Sequence, residues 1–223
     1  IDVVPDAPKH ITRIIRDLGA KWEVNLHDYK VICPRINLAD LAGRYCGEPD
    51  EASCNRCISK QGSLFGKPEI GAWRAMHSKA LLSADEVLVP DEDMAERLSR
   101  YFPAVPFQVS PHEKMDPEVI SVARPVLGED EALHIVVVGA ISRIKGYDVL
   151  RSCAADASRR GLPLRFSLLG YSIGDVTLSN AGVQVTGRYT EQEAERRLAA
   201  LRPHVIWLPA LWPETYSYTL SLA

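Results

Sequence analysis

The chain has 223 residues, of which 46% are hydrophobic and 25% are charged, and its formal net charge is −3. This length predicts one large domain or two small ones. The sequence has no basic run and no basic residues interleaved with aromatics, which argues against nucleic-acid binding. No apolar segment reaches the roughly 20 residues that a membrane-spanning helix needs. Because the first residue is Ile1 and no methionine precedes it, we expect a fragment of a longer protein.

The first half of the sequence predicts a strand, a helix and a second strand, followed by a long insertion. Residues 1–4 read as the end of a strand, residues 8–18 have helical apolar spacing, and residues 22–26 form a strand that runs into His27. Residues 30–71 show no periodicity and contain four cysteines, so they predict an irregular insertion. A loop of this length in a compact domain is expected either to be functional or to be held in place by a cross-link. A helix near Trp73, a strand at 86–89, a helix at 92–100 and a strand at 107–109 follow.

The second half alternates strands and helices more regularly. Residues 113–133 are rich in proline and acidic side chains and predict a linker. Beyond it we expect strands at 134–138, 164–169, 183–185 and 204–208. We also expect one helix at 147–160 and a second helix that ends at residue 201. Thr190 and Glu193 have the spacing of a capping box at the start of the latter helix. A turn at Pro213 leads into a last, short helix. The pattern predicts an α/β protein with domains at 1–112 and 134–223.

A basic pair, Arg143 and Lys145, falls in the connection between a buried strand and a helix. The strand is an apolar, β-branched run that ends at Gly139, which is typical of a parallel strand covered on both faces. Ligands of open α/β sheets bind at the carboxyl ends of the strands, where helix N-termini point at them. The pair therefore predicts a site for a phosphorylated ligand, and the alternative is that both cations are ordinary solvated loop charges.

Four short motifs resemble the family 4 glycosyltransferases, which are retaining enzymes with two facing Rossmann-like domains. The motifs, in chain order, are His27-Asp28-Tyr29 with Cys33-Pro34-Arg35, Ala84-Asp85 leading to Val89-Pro90, Gly139 through Lys145-Gly146, and Trp212-Pro213-Glu214-Thr215-Tyr216. The resemblance covers nearly the whole chain. It implies an incomplete B-type glycosyltransferase fold, with part of an acceptor-side lobe first and part of a nucleotide-sugar lobe second.

The resemblance implies catalytic roles for His27, Lys145 and Glu214. Lys145 matches the lysine that binds the donor diphosphate, Glu214 matches the first glutamate of the E-x7-E motif, which faces the donor sugar, and His27 matches a histidine that faces donor and acceptor. The donor site would consist of Gly139, Arg143, Lys145, Glu214, Thr215 and Tyr216.

The chain departs from the family pattern at two positions. Ala140 stands where an arginine is usual, so Arg143 would supply that charge, and Leu222 stands where the second glutamate would hold the ribose.

The resemblance implies transfer of a sugar from a nucleotide-sugar donor to a carbohydrate or lipid-linked acceptor, with no metal for the chemistry and no nucleic-acid partner. We expect synthesis of a polysaccharide or glycoconjugate in the cytoplasm, which leaves peripheral association with the inner face of the membrane open, and weak or absent turnover by this chain.

Two other functions stay open at this point. A non-catalytic nucleotide- or carbohydrate-binding lobe is favoured by Ala140 and Leu222. A different nucleotide-using enzyme, such as an epimerase, is disfavoured because no G-x-G-x-x-G follows the first strand. Each of two site residues also has a purely structural alternative. The His27 ring would then only bond a backbone carbonyl, and the Glu214 carboxylate would only stabilise a helix N-terminus through the helix dipole.

The cysteines predict a reducing compartment and a structural zinc site. Cys33, Cys46, Cys54 and Cys57 lie within one window whose last two members form a C-x-x-C pair, and four thiolates would make a closed tetrahedral site. A disulfide or four free thiols are the alternatives. Cys153 falls among the apolar positions of a helix and predicts a small core residue.

Overall fold

The structure, a computed structural model, describes residues 13–15, 17–112 and 126–223. The described residues form two compact units. The first holds those up to residue 112 together with Trp212–Tyr216, and the second holds 126–211 together with 217–223. The expected strand at 1–4, the start of the helix at 8–18 and residues 113–125 of the expected linker lie outside the described residues. Residues 13–15 and 17–18 are helical.

The first unit is built on a three-stranded parallel sheet with the order β1-β2-β3. Its elements are β1 (Glu23–Asn25), α1 (Glu51–Gln61), α2 (Ile70–Leu81), β2 (Glu86–Val89), α3 (Glu92–Ser99) and β3 (Phe107–Val109). The Asp91 carboxylate caps α3 by accepting a hydrogen bond from the Met94 amide at 2.8 Å. Met94 and Leu98 lie one turn apart on the covered face of α3, and both are fully buried.

The second unit is built on a four-stranded parallel sheet with the order β6-β5-β4-β7. Its elements are β4 (Leu133–Ile141), α4 (Tyr147–Arg160), β5 (Leu164–Ser172), α5 (Asp175–Asn180), β6 (Val183–Val185), α6 (Glu191–Leu201), β7 (Val205–Ile206) and α7 (Tyr218–Leu222). The predicted bounds of α4 and β6 are confirmed, and α6 begins with the predicted capping box of Thr190 and Glu193.

Both faces of the second sheet are covered, which explains the uninterrupted apolar run of β4. Val137 and Ile141 pack with the buried side chains of α4, whereas Val136 and Val138 pack on the other face with Leu198 of α6. Alternate side chains of a strand point to opposite faces, so a doubly covered strand needs apolar residues at every position. β4 runs to Ile141, past Gly139, where the sequence had predicted its end.

The insertion at 30–71 is not irregular throughout, and that prediction was wrong for residues 51–61. α1 occupies them, and it begins where the Asp50 carboxylate accepts a hydrogen bond from the Ser53 amide at 2.7 Å. Only Ile58 of this helix is buried. Because a helix with one buried position has no apolar stripe, hydrophobic periodicity could not predict it.

Cys153 is exposed, so its prediction as a core residue was also wrong. The buried positions of α4 are Tyr147, Leu150, Ala154 and Ala157. Cys153 directly precedes Ala154 and is therefore turned from it by about 100° around the helix axis, away from the sheet.

Candidate functional site

The loop at 142–146 brings Arg143 and Lys145 to the carboxyl end of β4. It is a tight turn in which the amides of Lys145 and Tyr147 both donate to the Ser142 carbonyl, at 3.1 Å each. Both basic side chains are exposed. The Arg143 guanidinium lies 4.0 Å from the Asp148 carboxylate, so its charge is partly balanced within the unit. The first-turn N–H groups of α4 face the same edge, which makes the loop suitable for an anion.

Two glycines give this edge its shape. Gly146 has a φ of +83°, and a Cβ there would lie 2.2 Å from the Pro209 carbonyl oxygen. Gly170 has a φ of +135°, and a Cβ there would lie 2.0 Å from the carbonyl oxygen of Gly139, its partner on β4. Gly170 therefore lies within β5 and allows the two strands to approach, although the sequence analysis ended this strand before it, at residue 169.

An aromatic and basic pair, Tyr171 and Arg188, lies at the same edge, and the sequence alone had marked Tyr171 as a strand-end residue but assigned no role to Arg188. The Arg188 guanidinium lies over the Tyr171 ring at 4.0 Å from the ring centroid. Tyr171 is the next-to-last residue of β5, and Arg188 follows β6, the strand paired to β5. The Thr186 hydroxyl fixes the start of this loop by accepting a hydrogen bond from the Gly170 amide at 3.2 Å. The position of each residue just at or after a parallel strand was the available signal.

The edge of the first unit collects a different set of predicted residues. His27 follows β1 and is exposed, and its carbonyl accepts a 2.6 Å hydrogen bond from the Thr215 hydroxyl. Thr215 is buried, and Glu214 and Tyr216 beside it are half-buried. The Tyr216 ring lies edge-on to His112, with ring centroids 5.0 Å apart. His112 follows β3 as His27 follows β1, and the sequence analysis assigned it no role.

Trp212 anchors this five-residue segment to the core of the first unit. It packs against the buried core there, and its ring lies edge-on to Tyr29 with centroids 6.4 Å apart. Its indole N–H and the Tyr29 hydroxyl are both buried without a hydrogen-bond partner. His27, Glu214, Thr215 and Tyr216 thus share one unit, and Gly139, Arg143 and Lys145 share the other.

The four clustered cysteines all lie in the first unit and all are half-buried. Cys54 and Cys57 are one turn apart on α1, and Cys33 and Cys46 pack against the core of the unit from turns before it. Within the described part of the chain, no three His, Cys, Asp or Glu side chains are closed around a point that could hold a metal ion. No helix among the described residues has the length and apolar character to cross a membrane.

No protein-family model and no curated protein sequence matches the chain. Among solved structures, it is similar to a TarM mutant of S. aureus in complex with fondaparinux, alpha-GlcNAc-glycerol and UDP. The identity is 12%, the TM-score is 0.56, and the match covers 96% of this chain and 37% of that one.

A second TarM structure matches at 13% identity and a TM-score of 0.52, over 93% of this chain and 36% of that one. The pneumococcal O-GlcNAc transferase GtfA, in complex with UDP and GlcNAc, matches at 13% identity and a TM-score of 0.47, over 67% of this chain and 30% of that one.

The chain therefore spans a little over a third of the TarM chains it matches. Likeness at this identity concerns the fold, and two α/β units on parallel sheets agree with it. The chain has the two-sheet α/β architecture of a B-type glycosyltransferase fold.

Proposed function

We propose that the chain belongs to a glycosyltransferase that moves a sugar, with retention, from a nucleotide-sugar donor to a carbohydrate or lipid-linked acceptor. The observation that carries the proposal is the loop at 142–146, which offers two exposed cations and a helix N-terminus at the carboxyl edge of a parallel sheet. A similar structure, the TarM mutant, was solved with UDP, a product of nucleotide-sugar transfer.

The chemistry that this loop would assist is departure of the donor diphosphate. When the bond between the anomeric carbon and the diphosphate oxygen breaks, negative charge develops on the diphosphate. Lys145, Arg143 and the first-turn N–H groups of α4 would stabilise that charge, and such electrostatic stabilisation is commonly the largest catalytic contribution. These fixed positive charges are why we propose a reaction that needs no metal. Glu214 and His27 would accept and orient hydroxyls of the transferred sugar.

The nucleoside would be held by the edge of β5 and β6. The Tyr171 ring with the Arg188 guanidinium at its face forms a planar surface at this edge. Leu222, in place of the glutamate expected to bind the ribose, is in α7 and cannot accept a hydrogen bond. We therefore propose that the nucleotide is held mainly through its diphosphate.

Titration calorimetry with UDP tests the donor site. Lys145→Ala should weaken UDP binding by at least about tenfold, because a charge-assisted hydrogen bond contributes roughly 1.5–3 kcal/mol. Arg159→Ala is the matched control, since it also removes one exposed cation, but at the far end of α4. UDP affinity unchanged by Lys145→Ala would contradict the proposed site.

A second candidate function is a non-catalytic lobe that binds a nucleotide or carbohydrate. Ala140 and Leu222 favour it, because both lack the polar groups that the resemblance predicts there. Donor hydrolysis and sugar transfer, assayed with UDP- and GDP-sugars, distinguish the two functions. UDP binding without turnover in every form of the protein that contains this chain would favour the binding lobe.

A further inference from the structure

The insertion of the first unit contributes Val31, Ile32 and Leu38 to the core of that unit. Between residues 40 and 69, however, Ile58 is the one buried hydrophobic residue, and this stretch carries Cys46, Cys54 and Cys57. Its only helix, α1, buries one residue, Ile58. None of the five cysteines is in a disulfide. Polar segments that cannot bury enough apolar surface need another source of stability, and a structural metal is one such source.

Contacts from the rest of the unit hold the cysteine-bearing turns in place. The Arg74 side chain of α2 donates from Nε to the Ile32 carbonyl at 3.1 Å and from Nη2 to the Cys54 Sγ at 3.7 Å. One guanidinium therefore joins the turn that carries Cys33 to the helix that carries Cys54.

The turn that carries Cys46 is fastened in a similar way. Glu48 forms a buried ion pair with Arg97 of α3, and the Tyr101 hydroxyl donates to the same carboxylate at 2.9 Å. The Cys46 amide donates to the Leu38 carbonyl at 2.8 Å, and both Cys33 and Cys46 pack against one core. Cys33 and Cys46 therefore share one core, and Arg74 links Cys54 to the turn that carries Cys33.

We propose that Cys33, Cys46, Cys54 and Cys57 bind one structural zinc ion and thereby staple the insertion to the first unit. In the described structure the four side chains are not closed on a common centre, so metal binding requires them to reorient. Zinc prefers four thiolates in a tetrahedron, and this set leaves no position open for substrate. Four thiolates and Zn²⁺ carry two net negative charges, which the Arg74 guanidinium beside Cys54 partly offsets. The site is independent of the donor site and does not rest on the proposed function.

Metal analysis of the chain, purified without chelator, tests the proposal. We expect one zinc per chain in the wild type, and at least about tenfold less in Cys33→Ser and Cys57→Ser. Cys153→Ser is the matched control, because it removes the exposed fifth thiol, on the second unit, and should retain full zinc content.

Cobalt substitution keeps the test decisive if a serine variant fails to fold. The wild-type chain and Cys153→Ser should take up one Co²⁺ and develop the thiolate-to-cobalt charge-transfer band and intense visible bands of a tetrahedral site. Removal of zinc by a chelator should lower the melting temperature of both proteins while UDP binding to the loop at 142–146 persists. A zinc-free wild type that takes up no Co²⁺, or one whose four cysteines are oxidised to disulfides, overturns the proposal.

Discussion

The Thr215 hydroxyl donates a 2.6 Å hydrogen bond to the carbonyl of His27, which lies 188 residues earlier in the chain. Thr215 is 5% exposed, so water cannot readily replace this bond. The bond fixes the segment that carries Glu214 at the carboxyl end of β1. Glu214 therefore lies in the same segment as the residue that binds His27, and the resemblance had implied catalytic roles for both. Backbone geometry thus gives His27 a structural role at this edge, whatever its imidazole does.

Replacement of Thr215 by valine should destabilise the first unit by about 1–2 kcal/mol. Valine keeps the shape of threonine but leaves the partly buried His27 carbonyl without its donor, and an unsatisfied buried acceptor has a cost of this size. Urea unfolding measures the loss. Thr177→Val, at an exposed position of the second unit, is the matched control and should change stability by less than about 0.5 kcal/mol. Equal stabilities of the two variants would contradict a structural role for the bond.

The His77 ring should make the first unit less stable as the pH falls. The ring is 6% exposed and packs edge-on to Trp73. Burial, and then the charge of Lys30, lowers its pKa from 6.5 to about 4. Above pH 6.5 neither the folded nor the unfolded state holds the proton. Between pH 6.5 and 4 the unfolded state binds it and the folded state does not, so stability decreases by at most about 1.4 kcal/mol per pH unit.

The His77→Phe variant isolates this effect, because it keeps an aromatic ring against Trp73 but cannot titrate. Urea unfolding of both proteins at pH 7.5, 6 and 5 should show a smaller loss of stability in the variant. His134, whose pKa is also lowered by burial, stays in both proteins and cancels in the difference. Parallel pH profiles of the two proteins would mean that His77 does not carry the dependence.

The sequence predicted the second unit well because its signals are local. Apolar runs covered on both faces and the capping box at Thr190 each act within a few residues, so the bounds of α4, β6 and α6 agree closely with prediction. β4 and β5 are exceptions, because each continues beyond the glycine at which the sequence predicted its end. The basic loop was placed correctly at the carboxyl end of β4 for the same reason.

The sequence analysis was wrong, or made no prediction, where contacts between residues far apart in the chain determine the structure. α1 forms on an Asp50 cap without an apolar stripe, and the stack of Arg188 on Tyr171 joins the loop after β6 to a residue of β5. The return of Trp212–Tyr216 to the first unit depends on contacts with Tyr29, His27 and His112 that no local pattern encodes. The roles of Lys145, Glu214 and the four clustered cysteines stay predictions that the experiments above address.

Alanine at Gly146 should destabilise the second unit by about 2–5 kcal/mol and displace the loop that carries Lys145. The residue has a φ of +83°, which costs a non-glycine residue roughly 1–2 kcal/mol. The added Cβ would also lie 2.2 Å from the Pro209 carbonyl oxygen and 2.6 Å from its Cβ, and overpacking of this kind costs roughly 1–3 kcal/mol more. Because the nearest of these atoms belongs to the Pro209 backbone, a side-chain movement cannot relieve the overlap.

The matched control for this prediction is Gly161→Ala, at the other end of α4. Gly161 also has a left-handed φ, of +61°, but a Cβ there would meet nothing within 4 Å. It should therefore lose only the conformational part, about 1–2 kcal/mol, and should bind UDP as the wild type does. Urea unfolding and UDP titration of both variants separate strain from collision. If the two alanines cost the same and bind UDP equally well, the contact between Gly146 and Pro209 does not shape the loop.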